Sequence, residues 1–272
     1  MVLIAVLWIV AALAVIVMGV THSVRAEVRV ASVERQSVVA QGAGEAAIQL
    51  VLQQMLALAN VPGRLQVVQA QYRGSAIAVE VMPLSGLIDI NNAPVPLLAA
   101  LFSVAGGLPP DAAAAVAMAT VQVRSARDSR GREIGFEATE DLLRVPGIGY
   151  DLYARVAPLV TADLRGGGRV NPMAAPSEVL TVLAGGDVAR AHSIAARRDA
   201  GEVGVDTTNF DPNFIDNATP RSFRLRARVP LSGGGWLIVS RHVYLSSGAR
   251  DGTAYRTYRA EQRVVREAGD GT

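Results

Sequence analysis

The first twenty residues, MVLIAVLWIVAALAVIVMGV, contain no charged residue and no proline. An apolar run of this length predicts a helix of about 30 Å, the thickness of a bilayer's hydrocarbon core. Helical character continues beyond it, and the first proline in the chain is Pro62. Apolar residues recur at Val24, Val28, Ala31, Val38, Val39, Ala46, Ile48, Val51, Leu52, Met55 and Leu56. That spacing is helical and predicts a stripe that packs against something along its length. A single rod of about sixty residues would be roughly 90 Å long, its first third in lipid and the rest in water. A cleaved signal peptide would need a basic stretch before the apolar run and a small-residue cleavage site after it. Here THSVRAEVR follows directly.

The period then changes. Residues 64–90 contain alternating stretches such as Ile77, Val79 and Val81, which predict a β-hairpin turning at Gly74-Ser75. An internal echo follows: SGLIDINNAPVPLLAALF at Ser85–Phe102 resembles GGRVNPMAAPSEVLTVLA at Gly167–Ala184. Each predicts a turn leading into a helix, with Asn91 or Asn92 as cap and Pro94 in the first turn of one. In the other, Asn171 or Ala175 lies near the start, with Pro176 at the first turn and Glu178 beside the positive end of the helix dipole. Between the copies, Asp111–Arg127 reads as a helix and Phe136–Thr161 as two helices around Pro-Gly-Ile-Gly. A further short helix is expected after Leu183, and residues 201–220 read as loop. SFRLRARVPL, GWLIVSRHVYL and TAYRTYRAEQRVV alternate as strands. This order predicts an α+β fold, a helical segment lying between two parts of a sheet.

Composition narrows the chemistry. Half of the 272 residues are hydrophobic, the mean hydropathy is +0.29 and the net charge is +2. Every basic residue is Arg, without a dense run, so no nucleic-acid signature is present. The absence of Cys excludes thiol catalysis, disulfides and Cys-based zinc sites. His22, His192 and His242 are scattered, and no nucleophile elbow or phosphate-binding Gly-rich motif occurs. No catalytic cluster assembles, so no enzymatic activity is expected. Two features could still carry a ligand. Val145-Pro146-Gly147-Ile148-Gly149 looks like the turn of a helix-hairpin-helix, whose amides can meet a DNA phosphate. Its acidic surroundings, Glu140, Asp141 and Asp151, favour a structural turn at Pro146, Gly147 and Gly149. Asp206, Asp211 and Asp216 could hold calcium, although their spacing is not that of an EF-hand and favours capping.

Four segments, in order, resemble the minor pseudopilin K family of type II secretion, also called general secretion pathway protein K: MVLIAVLWIVAALAV, SGLIDINNAPVPLLAAL, FEATEDLLRVPGIGYDLYARVAPLVT and GGRVNPMAAPSEVL. The resemblance spans nearly the whole chain. It implies a pilin-like long N-terminal helix packed on an antiparallel sheet, with a large all-α domain inserted in the sheet. The expected divisions are a transmembrane segment at 1–21 and its exposed continuation at 22–60. The first part of the β domain follows at 61–90, the inserted α-domain at 91–200, and the loop and last strands at 201–272.

The resemblance further implies a leader removed by a prepilin peptidase, with Met1 as the first mature residue and methylated there. Leu3, Ala5, Leu7 and Trp8 would belong to the membrane part of the assembly helix, and Val28, Val38, Val51 and Leu52 to its exposed part. Ala5 stands where most pilins carry glutamate, as in K-type subunits. The expected function is that of a pseudopilus tip subunit, single-pass in the inner membrane with its head in the periplasm, assembling with the I- and J-type minor pseudopilins. No cofactor is expected. Some family members bind calcium in the α-domain, but the corresponding stretch here, VRSARDSRGREIG, is short and basic, and no ligand is assigned. The alternative is a membrane-anchored, competence-like DNA-binding protein that uses the Pro146–Gly149 turn.

Overall fold

A computed structural model describes residues 35–58, 61–163, 167–202, 204–232, 234–246 and 253–265. The expectations placed on Met1, Leu3, Ala5, Leu7, Trp8 and Val28 lie outside the described residues. Residues 35–57 are helical, here α1. They are followed by strands β1 (Gln66–Tyr72) and β2 (Ser75–Pro83). The hairpin turns one residue earlier than expected. Tyr72 pairs with Ser75, so Arg73 and Gly74 form the turn, at φ of 48° and 78°. Two consecutive positive φ values suit the right-handed twist of a tight hairpin, and Ser75 is free to begin the strand.

A helix-rich stretch then runs to residue 221. It holds β3 (Ile88–Asp89), α2 (Val95–Ala100), α3 (Pro110–Arg124), α4 (Tyr150–Val156), β4 (Val160–Thr161), α5 (Ser177–Leu183) and α6 (Val188–Asp199). The chain closes with β5 (Ser222–Pro230), β6 (Trp236–Leu245) and β7 (Tyr255–Val265). The five long strands form one antiparallel sheet in the order β1-β2-β5-β6-β7. The architecture is therefore α+β.

The expectation of a wholly α-helical stretch needs correction. Ile88 and Asp89 pair in parallel with Val160 and Thr161, tying the start of the stretch to its middle. The first of the two helices around the Pro-Gly-Ile-Gly turn is a short 3₁₀ helix, Thr139–Arg144. Neither Asn91 nor Asn92 caps α2. Pro94 holds the cap position, and the Asn91 amide is spent elsewhere. It donates to the carbonyls of Phe136 (2.9 Å) and Ala162 (3.1 Å) and accepts from Phe136 N (2.7 Å). Buried backbone groups from two distant segments needed those partners. The two echo segments pack against each other. Asn171 N donates to Ser85 O at 2.7 Å. A Cβ on Gly86 would lie 2.3 Å from Ala174 O, and one on Gly168 would lie 2.0 Å from Asn92 O. Each glycine lets the other copy's backbone approach.

Alternation decides the faces of the sheet. Along β5, Phe223, Leu225, Ala227 and Val229 are buried on one face, while Arg224, Arg226 and Arg228 take the other. Helix α1 lies on the apolar face with Ala40, Ala47, Ile48, Val51, Leu52 and Met55 turned inward. Polar contacts fasten its flanks: Arg241 Nη2 to Glu45 Oε1 at 2.6 Å, and Tyr255 Oη to Gln49 Oε1 at 2.6 Å. The helix-rich stretch has a second core, built around Leu97, Leu98, Leu101, Phe102, Leu142 and Leu180. A Cβ on Gly44 would meet Val239 Cγ2 at 2.7 Å and Val229 Cγ2 at 3.3 Å. Gly44→Ala is expected to lower stability by about 1–3 kcal/mol through overpacking. Gly42 has open space around it on the exposed side, and Gly42→Ala is expected to raise stability by about 0.5–1 kcal/mol. Urea denaturation of both variants beside the parent checks the two signs.

Candidate functional site

Helix α1 divides the predicted stripe between two environments. Val51 and Leu52 are buried against the chain's own sheet, with Ile48 and Met55 beside them. As residues expected to meet neighbouring subunits, they are corrected: the sheet already covers them. Helical spacing reports that a face is covered, and here the cover is intramolecular. Val38 and Val39 remain 68% and 62% exposed, and Leu50 and Leu58 are exposed further along. Beside them a cleft of about 610 Å³ is lined by Arg35, Gln36, Val39, Ala40, Ala43 and residues 229–232. The free part of the stripe is thus an apolar strip at the N-terminal end of the described helix. Among the described residues no helix is long and apolar enough to cross a membrane.

The junction between the two cores is polar. Asp163 follows β4 and is nearly buried, its carboxylate shared between two strands of the sheet. His242 Nδ1 lies 2.7 Å from Asp163 Oδ2, and Arg259 Nη2 lies 3.2 Å from Asp163 Oδ1. Arg259 also donates to Glu137 O. The Tyr258 ring meets the His242 ring edge-on at 6.0 Å. Beside this cluster, Phe136, Glu137, Ala162 and Asp163 face Ser222, Tyr244 and Tyr258 across a cleft of about 540 Å³. The arrangement fixes the imidazole ring and neutralises a buried carboxylate, which joins helix-rich stretch to sheet. In the sequence His242 is one of three scattered histidines, and Asp163 stands in no motif. The available signal was a polar position on β6 whose alternation points away from α1, at the end of that face where the helix-rich stretch meets the sheet.

A second acid is buried within the helix-rich stretch. The Asp89 carboxylate accepts from Asn91 N (2.9 Å) and Asn92 Nδ2 (2.6 Å). Burial pushes its pKa up to about 6, against hydrogen bonds from Asn92 and Asn91 and the charge of Arg124. Arg124 Nη1 donates to the carbonyls of Ile90 and Ala93 at 3.0 and 2.9 Å, and burial lowers the Arg124 pKa.

The Pro146–Gly149 turn is exposed at Pro146, Gly147 and Gly149, while Val145 and Ile148 anchor it in the core. Gly147 adopts φ of 91°, and Gly149 precedes α4 at the cap position. The neighbouring cation Arg144 faces Asp141 at 3.6 Å. The three loop acids do not converge. Asp206, Asp211 and Asp216 accept from the amides of Thr208, Asn213 and Ala218, each closing its own local turn. Among the described residues no group of three or more His or acidic side chains is placed to hold a metal ion.

A crystal structure of the GspK-GspI-GspJ complex from the type 2 secretion system of enterotoxigenic Escherichia coli contains a chain of similar fold. Its TM-score is 0.55 at 15% sequence identity, and the match covers 88% of this chain and 98% of that one. The two share a fold. No protein-family model matches the chain, and no curated protein does.

Two outcomes test the buried acids. Asp163→Asn is expected to lower stability by about 1–3 kcal/mol, because it removes the charged acceptor shared by His242 and Arg259 while Glu261 stays 3.6 Å from Arg259; thermal or urea unfolding measures it. For Asp89, the folded pKa stands above the unfolded one, so the folded state holds its proton more tightly. The contribution is full below about pH 3.8 and is lost as pH rises through about 6. Stability measured between pH 4 and 7 should therefore fall more steeply in the parent than in Asp89→Asn, by up to about 3 kcal/mol.

Proposed function

We propose that this chain is a minor pseudopilin of a type II protein secretion system, a K-type subunit of the pseudopilus tip complex. In this reading residues 1–21 hold it in the inner membrane as a single pass, with the head in the periplasm, after a prepilin peptidase has freed and methylated Met1. The helix-rich stretch is the inserted domain of the family, and the I- and J-type minor pseudopilins are its partners. The observation that carries the reading is the similarity of fold to a chain of the GspK-GspI-GspJ complex over nearly the full length of both. The course of α1 supports it: a helix laid along a sheet by one face, with Val38 and Val39 left uncovered on the other.

The mechanism contains no bond chemistry. The membrane segment stores the subunit in lipid, and packing of apolar helices drives lateral assembly. Ala5 would leave the subunit without the acid through which a pilin contacts the terminal amine of the subunit ahead. A tip position requires no such contact. Burying the Val38–Val39 strip against a neighbour's helix would contribute about 25 cal/mol per Å² of apolar surface.

The test uses the full chain in detergent, co-expressed with I- and J-type minor pseudopilins. The parent is expected to co-purify with them. The variant carrying Val38→Asp and Val39→Asp is expected to lose the partners while keeping its urea midpoint, since both side chains are exposed in the folded head. A folded parent that captures neither partner would overturn the reading. The DNA-binding alternative gains no support from the turn, whose adjacent cation is already paired.

A further inference from the structure

The face of the sheet opposite α1 is rich in arginine. Strand pairing sets the rows. Arg224 stands beside His242, which pairs with Arg259; Arg226 beside Ser240, which pairs with Glu261; Arg228 beside Ile238, which pairs with Arg263. On the other side of β5, Glu80 neighbours Arg226. Five guanidinium groups thus share a face with Glu80 and Glu261, and with Asp163 at one end. Asp163 and Glu261 both reach Arg259, at 3.2 and 3.6 Å, which leaves Arg224, Arg228 and Arg263 on this face without a carboxylate within ion-pair distance among the described residues. Glu80 reaches only Arg226, at 3.5 Å.

Within this face Arg226, Ser240, Glu261 and Arg263 border a cleft of about 280 Å³. Ser240 is 6% exposed and its hydroxyl has no hydrogen-bond partner. The Nε groups of Arg224 and Arg226 are also buried without an acceptor. An unmet buried donor is costly, and an acceptor placed in the cleft would relieve it. Burial and the neighbouring charge of Arg226 lower the Arg224 pKa, the second of these reflecting cation crowded against cation.

We propose that this face docks an extended acidic polypeptide segment, with one carboxylate seated in the cleft against Ser240 Oγ, Arg226 and Arg263. Spacing favours an extended peptide. Arg224, Arg226 and Arg228 alternate along β5, so they recur about every 7 Å, the repeat of alternate side chains on an extended chain. Asp or Glu at every second position would meet them in turn. A peptide can leave an uncharged residue opposite Glu80 and Glu261, whereas a nucleic-acid strand carries charge at every link. Its usual stacking partner, Trp236, already lies under the Arg228 guanidinium at 4.2 Å. The proposal stands apart from the assembly reading, which uses the opposite side of the sheet and α1.

The experiment measures fluorescence anisotropy of a labelled Glu-Thr repeat peptide with the full-length chain in detergent at low ionic strength. Binding is expected, weakening as salt is added. The variant carrying Arg226→Gln and Arg263→Gln is expected to bind at least about tenfold more weakly. Arg130→Gln, on an exposed loop outside the arginine rows, is expected to bind as the parent does. Absence of binding, equal weakening by Arg130→Gln, displacement by equimolar inorganic phosphate, or tighter binding of an oligothymidylate would each overturn the proposal. Circular dichroism of the variants confirms that a loss of binding is not a loss of fold.

Discussion

The direct pairing of β2 with β5 governs the arrangement of everything else. The chain leaves the sheet after Pro83 and returns at Ser222 on the neighbouring strand, with Pro83 opposite Phe223. Whatever lies between must bring its ends together within one strand spacing. Closing a long excursion adds little entropy over closing a shorter one, because the cost grows only with the logarithm of length. The excursion must however bury its own apolar surface, since the sheet's apolar face is already taken by α1. A separate core around Leu97, Leu101, Phe102 and Leu180 meets that requirement.

Two cores joined at one seam raise the question of what holds them in a fixed relation. The seam is polar, and Asp163 is its centre. A carboxylate buried among an imidazole and a guanidinium contributes little net stability against an apolar replacement. It is directional, however, and ties Asp163 to His242 on β6 and Arg259 on β7. Arg64 adds a second tie, donating to Arg198 O at 2.8 Å from the chain just before β1 to the end of α6. Within the stretch, the interlocked echo segments and the β3–β4 ladder give further rigidity.

Helix α1 is both the back wall of the sheet's core and a surface. The same helix that buries Ile48, Val51 and Leu52 inward leaves Val38 and Val39 outward. A subunit that assembles by lateral packing needs this double use. One face must be spent on folding so that the head is stable alone, and the other must stay open. The arginine-rich side of the sheet is a third surface, chemically distinct from the second: charge there selects a partner through complementarity more than through buried area.

Much of the secondary structure was legible in the residues. The 3.6-residue period of α1 and the alternation of β2, β5 and β6 are local signals that act over a few residues. The order of the elements likewise fixed an α+β arrangement. What tertiary structure alone decided was the identity of partners. Periodicity declares that Val51 and Leu52 are covered without saying by what, and the cover is the chain's own sheet. Asn91 looks like a helix cap until Phe136 and Ala162 arrive to claim its amide. Asp163, His242 and Arg259 are remote in sequence and carry no motif, because their meeting is set by the strand register and the packing of two cores, and neither is written in any local stretch of chain.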